Sequence, residues 1–288
     1  MDGSDNFMSE KVSKILLPKV DVIFKLLFGD KRNIEILIDF LKSVLNLAVD
    51  EYEDISIDDT HIKRESKNDK LGIVDVKLTT KSGKIIHIEL QVLEQDEFPE
   101  RVLYYIAKIL VTQIKSGDDY KFKKVISIVI SDFEIVKNST EYHHKFLMND
   151  ATTGVNFTDI VEINTLELGK VPGQSDNTKK HDWLQFLKAE KEEEFDMLAT
   201  KSPAINSAVV ELKRLSQSEE AQRIYEARQK AISDEKARTR TAHNKAMREV
   251  ATNMLKRGTP LQHIVEDTGL SLAEVEKLKS QITTQASA

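Results

Sequence analysis

Asp75 and Glu89 are the residues of this chain whose type and spacing best fit chemistry. They lie in two alternating runs on either side of Lys81-Ser82-Gly83, a pattern that predicts a β-hairpin. A three-residue turn at 81–83 pairs residues whose numbers sum to 164, so Asp75 is expected opposite Glu89, with Cβ atoms roughly 5 Å apart. Two facing carboxylates repel each other. A divalent cation such as Mg²⁺, which binds carboxylate oxygens, water and phosphate oxygens, is the simplest compensation.

The hairpin is predicted to have an apolar face and a polar face, because successive strand residues point to opposite sides. The apolar face carries Val74, Val76, Leu78, Ile86, Ile88, Leu90 and Val92. The polar face carries Asp75, Lys77, His87, Glu89 and Gln91. A solvated face is the simpler explanation for these charges. The nearly continuous apolar run at 85–93 favours instead a central strand covered on both sides, where an unpartnered carboxylate is costly.

Further elements are predicted to cover and extend the hairpin. Apolar residues of helical period predict helices over 20–28, 33–47 and 98–115. Strands are predicted over 52–64, 125–130 and 159–168, with a polar loop at 66–70. The resulting β-β-α-β order lets the strand after the third helix lie parallel to a neighbour through a helical crossover.

The composition is that of a soluble protein with a hydrophobic core. The chain of 288 residues has 40% hydrophobic and 31% charged residues, and its net charge of −6 gives no global argument for nucleic-acid binding. The absence of cysteine excludes disulfides and thiolate metal sites. No apolar run reaches the roughly 18 residues of a membrane span, and the polar, acidic start does not resemble a signal peptide. A cytoplasmic location without membrane contact is therefore expected.

The chain is predicted to consist of five segments. They are a flexible tail at 1–14, a domain at 15–170, a linker at 171–180, a long helical segment at 181–257 and a small helix–turn–helix at 258–288. The helix–turn–helix is predicted from an N-cap at Thr259, a tight turn at Gly269 and a capping box formed by Ser271 and Glu274.

The C-terminal helices are candidates for DNA binding or for self-association. Residues 212–257 contain twelve Lys or Arg against six Asp or Glu, and 223–257 is the better DNA-binding candidate, although a solvated helix face is the default. The second helix of the helix–turn–helix has no Arg and balanced charge, which favours a packing or dimer role.

The order of these motifs resembles that of the Rpn family, the recombination-promoting nucleases often labelled as transposases, in the PD-(D/E)XK nuclease superfamily. The matching stretches are 19–29, 74–76, 87–91, 98–101 with Tyr104-Tyr105, 117–120, 125–130, 142–146, 166–168, 255–258 and 264–271. The resemblance implies an α/β fold with an α-β-β-β-α-β core and a mixed central sheet. It also implies that the protein cuts DNA with Mg²⁺ or Mn²⁺.

The resemblance also implies roles for three hairpin residues. Asp75 matches the motif Asp and Glu89 the motif Glu, so both would bind the metal. Gln91 stands where the superfamily usually has Lys. A lysine supplies a cation near the attacking water or the scissile phosphate, whereas a glutamine only forms hydrogen bonds and would position the water. Lys77, on the same face, is a candidate for the missing charge.

Each of the other candidate site residues also has a purely structural explanation. Asp21 is an outer ligand, a base, or simply a negative charge at a helix N-terminus. Arg101 and Tyr105 are candidate contacts to the site or to DNA, and a structural hydrogen bond explains each equally well. Lys25 is a candidate DNA phosphate contact, although solvation is the simpler explanation for it. His143 and His144 suggest a metal site, but adjacent residues on a strand or a loop point apart, so a structural role is favoured.

Three hypotheses for function follow from these observations. The first is a Mg²⁺-dependent DNA endonuclease linked to recombination, transposition or mobile-element defence. The second is a catalytically weak relative that binds DNA or protein, which the Lys-to-Gln departure at Gln91 favours. The third is a structural homodimer built on the C-terminal helices.

Overall fold

The structure, a computed structural model, describes residues 15–62, 72–73, 75–94 and 96–286. Three predicted features lie outside the described residues: the tail at 1–14, the polar loop at 66–70 and the position of Val74 on the apolar face of the hairpin.

The described residues form an α/β structure with a helical C-terminal region. Its α-helices are α1 (Asp21–Phe28), α2 (Ile34–Val44), α3 (Phe98–Val111), α4 (Lys179–Lys188), α5 (Glu192–Ala199), α6 (Pro203–Ser216), α7 (Glu219–Lys256), α8 (Leu261–Thr268) and α9 (Leu272–Ala286). Its strands are β1 (Ser56–Ile57), β2 (His61–Ile62), β3 (Gly72–Ile73), β4 (Val76–Thr79), β5 (Ile85–Gln91), β6 (Val125–Ser131), β7 (His143–Asn149) and β8 (Asn156–Glu167). No helix among the described residues combines the length and apolar character needed to cross a membrane.

Six of these strands form one mixed sheet in the order β1-β4-β5-β6-β8-β7. β4 and β5 are antiparallel, whereas β5, β6 and β8 are parallel to one another. α3 provides the crossover between β5 and β6, because parallel neighbours cannot be joined by a tight turn. The predicted fold class and the predicted β-β-α-β order are thereby confirmed.

The hairpin between β4 and β5 has the predicted register. Val76 pairs with Ile88 and Lys77 with His87, and both sums are 164. The N–H of Thr80 donates to the carbonyl oxygen of Lys84 at 2.9 Å, which closes a three-residue turn. Gly83 has φ +86°, a conformation that glycine adopts without the penalty a Cβ imposes.

Strand β5 is buried on both faces, as the apolar run predicts. Val76, Leu78, Ile86, Ile88 and Leu90 belong to one hydrophobic core together with α1, α2 and the helices α4–α6. The opposite face of the sheet packs against α3 in a second cluster, which contains Phe98, Val102, Ile106, Ile109, Val125 and Val129. The solvated-face interpretation of the hairpin is therefore wrong for β5, since α3 covers its polar side.

Several predicted elements have different bounds. The range 52–64, predicted to hold a strand, contains the two short strands β1 and β2, which belong to different sheets. Tyr52 lies in a 3₁₀ turn (Val49–Tyr52), and residues 63–64 lie outside the described residues. The buried hydroxyl of Tyr52 donates to the carbonyl oxygen of Leu45 at 3.2 Å, and this bond ties the turn to the end of α2. The helix predicted at 98–115 ends at Val111, and the helix predicted at 33–47 ends at Val44.

The C-terminal helices contribute to two separate cores. Trp183, Phe186 and Leu212 of α4 and α6 are fully buried in the core that also covers β4 and β5. The chain divides into two compact units between Arg228 and Gln229, a point within α7. The domain boundaries proposed from the sequence stay predictions.

The second unit has its own small core. Its buried apolar residues are Ala251, Ile264, Leu270 and Val275. The predicted capping box is confirmed, since the N–H of Ser271 donates to Glu274 Oε2 at 3.1 Å and the N–H of Glu274 donates to Ser271 Oγ at 3.3 Å. The predicted turn is also confirmed, with φ +66° at Gly269. Thr259 is not the N-cap of α8, because Pro260 occupies that position and the Thr259 N–H bonds back to Met254.

Candidate active site

Asp75 lies one residue before β4, where the ladder between β4 and β5 ends. Its N–H donates to the carbonyl oxygen of Ile88 at 3.2 Å, one residue out of register. Its carboxylate Oδ2 accepts the backbone N–H of Leu90 at 2.7 Å. The side chain of Asp75 thus takes a bond that a continuing strand would make, and this fixes the carboxylate on the backbone of β5.

Glu89 lies on β5, on the side of the sheet that α3 covers. It is only 8% exposed. Its Oε1 accepts from Nη2 of Arg101 at 3.2 Å. Its other oxygen, Oε2, is buried and has no hydrogen-bond partner among the described residues. A buried carboxylate oxygen without a partner is costly, so this atom marks a place where a ligand is expected.

The environment raises the pKa of both carboxyl groups. Burial is the main cause for Asp75, and nearby Asp21 adds to it, so that the pKa of Asp75 rises to about 6. Burial followed by repulsion from Asp75 raises the pKa of Glu89 to about 8, against the attraction of Arg101. Raised pKa values in a pair of interacting carboxyl groups are typical of functional sites, because a bound cation would restore both charges.

Gln91 and Arg101 are held together at the end of β5. Arg101 Nη2 donates to Gln91 Oε1 at 2.8 Å, and Gln91 Nε2 donates to the carbonyl oxygen of Leu93 at 2.8 Å. The Arg101 guanidinium also lies over the Phe98 ring, with Cζ 4.9 Å from the ring centroid. Arg101, a predicted DNA contact with a structural alternative, therefore meets the carboxylate site directly.

Asp21 and Lys25 of α1 border the same site. Asp21 forms a two-point ion pair with Arg228, with distances of 2.7 Å from Nε to Oδ1 and 2.5 Å from Nη2 to Oδ2. Lys25 donates from Nζ to Thr60 Oγ1 at 3.1 Å. The charges of all three ionisable residues act on Asp75: Asp21 raises its pKa, and Lys25 and Arg228 lower it.

Other sequence candidates lie beside the pair or away from it. Lys77 pairs across the hairpin with His87, whose pKa is lowered first by burial and then by the Lys77 charge. Tyr105 lies near Glu89, and burial and the Glu89 charge raise the pKa of its hydroxyl. His143 bonds Asn164 and His144 bonds Ser139, so the two imidazoles have separate partners, as predicted for neighbouring strand residues.

Arg228 is the site residue that sequence reasoning missed. It is separated from Asp21 by 207 positions and lies in a long basic helix whose other Lys and Arg residues look alike in the sequence. No local pattern distinguishes it from them.

The donor set fits a divalent cation. Among the described residues, no three Asp, Glu, His or Cys side chains are already arranged as a metal cluster. Mg²⁺, however, is usually bound through one or two carboxylates together with water and substrate oxygens. Asp75 and the unpartnered Oε2 of Glu89 supply these two carboxylates, and their mutual repulsion is what a cation relieves.

The six-stranded mixed sheet and the helical C-terminal region are consistent with a PD-(D/E)XK-like fold. The family model described as PD-(D/E)XK nuclease family transposase matches residues 18–242. The match covers most of the chain, and the chain therefore belongs to this family.

Membership supports a nuclease or transposase-related role. A nuclease family implies DNA as the substrate, and PD-(D/E)XK nucleases generally use divalent metals. No curated protein matches the chain, and no solved structure matches it.

Proposed function

We propose that this protein is a divalent-cation-dependent DNA endonuclease that hydrolyses phosphodiester bonds at the Asp75–Glu89 pair. The observation that carries the proposal is Glu89 itself. It is a buried carboxylate with one oxygen unpartnered and with its pKa raised by burial and by the neighbouring Asp75. A structural carboxylate at the centre of a sheet would have its charge satisfied by the protein.

Glu162, a buried carboxylate on β8, is an example of a buried carboxylate whose charge the protein satisfies. Lys124 and Lys145 pair with it at 2.7 Å and 3.1 Å, and Asn164 donates a further hydrogen bond. These contacts lower the pKa of Glu162 despite its burial. The same sheet thus satisfies one buried carboxylate fully and leaves the other with an open oxygen, which favours a ligand-binding role for Glu89.

The reaction is hydrolysis of a phosphate diester. Water forms a new P–O bond, the bond to one sugar oxygen breaks, and a proton moves from the water to the released sugar oxygen or to solvent. A phosphate monoester and a hydroxyl are the products. Mg²⁺ or Mn²⁺ on Asp75 and Glu89 would lower the pKa of bound water and neutralise charge on the phosphate.

The residues of the chain orient and balance this site. The backbone N–H of Leu90 fixes the Asp75 carboxylate, and Arg101 fixes one oxygen of Glu89. Asp21 is held by Arg228, so its proposed role as outer ligand or base requires that ion pair to open. We infer that Lys25 and Tyr105, which border the pair, contact the DNA backbone.

The biological purpose of the cut is proposed to be recombination, transposition or mobile-element defence. The transposase description of the family supports the first two. Self-association through the C-terminal helices and a cytoplasmic location stay predictions.

A second candidate function is that of a catalytically weak relative that binds DNA or protein, alone or as a homodimeric interaction module. The neutral amide of Gln91 favours it, because an amide cannot supply the positive charge of a lysine. The two candidates differ in whether DNA is cut, so a cleavage assay separates them.

Supercoiled plasmid cleavage tests the proposal. The wild-type protein is compared with Asp75→Ala and with Asp159→Ala, which removes an exposed carboxylate from β8. Each is incubated with Mg²⁺, with Mn²⁺ and with EDTA. Nicking by wild type and Asp159→Ala, but not by Asp75→Ala or in EDTA, is the expected result.

Two other outcomes would overturn it. Equal cleavage by wild type and Asp75→Ala would reject the site assignment. DNA binding at low salt without cleavage by any variant would reject the nuclease activity in favour of the binding role.

A further inference from the structure

We propose that Arg101 supplies the fixed positive charge of this site, and that Gln91 acts as a positioning residue that holds the guanidinium against Glu89. This inference rests on the proposed nuclease function. It assigns to two residues on different elements the role that one charged side chain on β5 would otherwise fill.

The first support is the position of a single nitrogen. Arg101 Nη2 lies 3.2 Å from Glu89 Oε1 and 2.8 Å from Gln91 Oε1, so one NH₂ group of the guanidinium joins the carboxylate to the amide. Glu89 and Gln91 are two residues apart on β5 and therefore point to the same side. The charge of Arg101 is thus held above the polar face of the strand.

The second support is the orientation of the Gln91 amide. Its Nε2 donates to the carbonyl oxygen of Leu93 at 2.8 Å, which turns Oε1 toward Arg101. A glutamine has both the donor and the acceptor that this arrangement needs, whereas a lysine at position 91 has no acceptor. A lysine would also bring a second positive charge against the guanidinium. The neutral residue is therefore what an arginine partner requires.

The third support is that Arg101 is anchored by its own helix. It lies in the first turns of α3, with Phe98 beneath its guanidinium at 4.9 Å, and its side chain is only 25% exposed. The backbone of α3 is fixed by the burial of Val102 and Ile106 against the sheet. The guanidinium group of arginine is in general a permanent cation in proteins, which suits the role of a fixed charge.

Two other cations near the site have different partners, since Arg228 is bound to Asp21 and Lys25 donates to Thr60. Lys77 lies opposite His87 in the hairpin. Among the described residues, Arg101 is the cation that contacts Glu89 directly. By occupying Oε1, it leaves Oε2 as the oxygen available to a divalent ion.

Moving the charge from α3 to β5 tests the proposal. Four proteins are compared in single-turnover plasmid cleavage with Mg²⁺: wild type, Arg101→Gln, Gln91→Lys and the double variant Arg101→Gln/Gln91→Lys. Lys108→Gln is the matched control, because it removes a cation from the same helix two turns away from Arg101.

The expected rates follow from the role of a fixed charge. Arg101→Gln should slow cleavage by about 100-fold, the usual loss when one donor to a developing negative charge is removed. Gln91→Lys alone should also be slower than wild type, because two cations compete for Glu89. The double variant should recover to within about tenfold of wild type, a range set by the same electrostatic effect. Lys108→Gln should match wild type.

Measuring cation binding distinguishes an electrostatic role of Arg101 from a merely structural one. Titration calorimetry with Mn²⁺ should give Arg101→Gln an affinity equal to or higher than that of wild type, because a competing charge has been removed. Weaker Mn²⁺ binding together with lost cleavage would show that Arg101 only holds the pocket together, and would overturn the proposal.

The outcomes also separate this inference from the nuclease proposal. If wild type fails to cut DNA, the proposed function fails. If wild type cuts and Arg101→Gln cuts at the rate of Lys108→Gln, the function stands and the role of Arg101 is rejected. A double variant no faster than Arg101→Gln would equally reject the charge exchange.

Discussion

Replacing Glu89 with Gln should stabilise the metal-free protein at alkaline pH and fail to stabilise it at acid pH. Burial and the repulsion from Asp75 raise the pKa of Glu89 from 4.5 to about 8. The folded state therefore binds more protons than the unfolded state between these values, and stability falls as pH rises through this window. A neutral amide removes that dependence.

The size of the stability change follows from the same shift in the pKa of Glu89. Ionising Glu89 in the folded protein costs up to about 5 kcal/mol, since one pKa unit corresponds to about 1.4 kcal/mol. This cost already includes the attraction of Arg101, and the oxygen of a neutral amide can accept the same hydrogen bond. The net gain at pH 8.5 is therefore up to about 5 kcal/mol. At pH 4 the carboxyl group is mostly protonated in both states, so the substitution should change stability little.

Urea unfolding in EDTA at pH 4 and pH 8.5 measures both values. Glu94→Gln, which changes an exposed glutamate shortly after β5, is the control for a general charge effect and should change little. Adding Mn²⁺ at pH 8.5 should stabilise wild type and leave Glu89→Gln unchanged. If Glu89→Gln is less stable than wild type at both pH values, the description of Glu89 as a strained, unpartnered carboxylate is refuted.

Two further substitutions test the elements around the site. His87 is fully buried, both its ring nitrogens lack partners among the described residues, and burial lowers its pKa to about 4. Stability therefore falls as pH drops from 6.5 toward 4, and His87→Leu should remove about 3 kcal/mol of that fall in urea unfolding at the two pH values; an unchanged pH dependence would contradict this. Gly83→Ala should cost about 1–2 kcal/mol in the same assay at neutral pH, because its φ is +86°, and a neutral effect would show that the turn is not the rigid one described.

The hairpin was predictable from the sequence because the patterns that specify it lie within one short segment of the chain. Alternation, the turn at 81–83 and the apolar run of β5 together predict the register, which the pairing of Val76 with Ile88 confirms. The crossover helix α3 was predictable for the same reason, since its apolar residues have helical period. The proximity of Asp75 to Glu89 was expected from these elements, although the ladder ends at Val76 and the Asp75 N–H bonds Ile88 one residue out of register.

Other parts depend on contacts between distant residues. The ion pair between Asp21 and Arg228 joins residues 207 positions apart, and nothing in the sequence selects Arg228 from its basic neighbours. The strand β7 is also absent from the sequence prediction, because most of its side chains are exposed and its polar and apolar residues do not alternate. It forms through its pairing with β8.

The role of Arg101 illustrates how far the sequence alone can predict the site. The sequence indicates that Arg101 lies on the crossover helix near the hairpin, and leaves open whether it meets the site, the DNA or a structural partner. Only the packing of α3 on the sheet determines that its guanidinium reaches Glu89 and Gln91. Side-chain direction at the start of a packed helix is set by tertiary contacts, which periodicity does not contain.

The rate of plasmid cleavage as a function of Mg²⁺ concentration, measured under single-turnover conditions for wild type and Glu89→Gln, tests whether a divalent cation at Glu89 is needed for the reaction. The rate should rise with Mg²⁺ and saturate in wild type. In Glu89→Gln it should be at least about 100-fold lower at every concentration, as expected when a group that stabilises the transition state through a bound ion is lost. Cleavage by Glu89→Gln at the wild-type rate, or wild-type cleavage that persists unchanged in EDTA, would contradict the account.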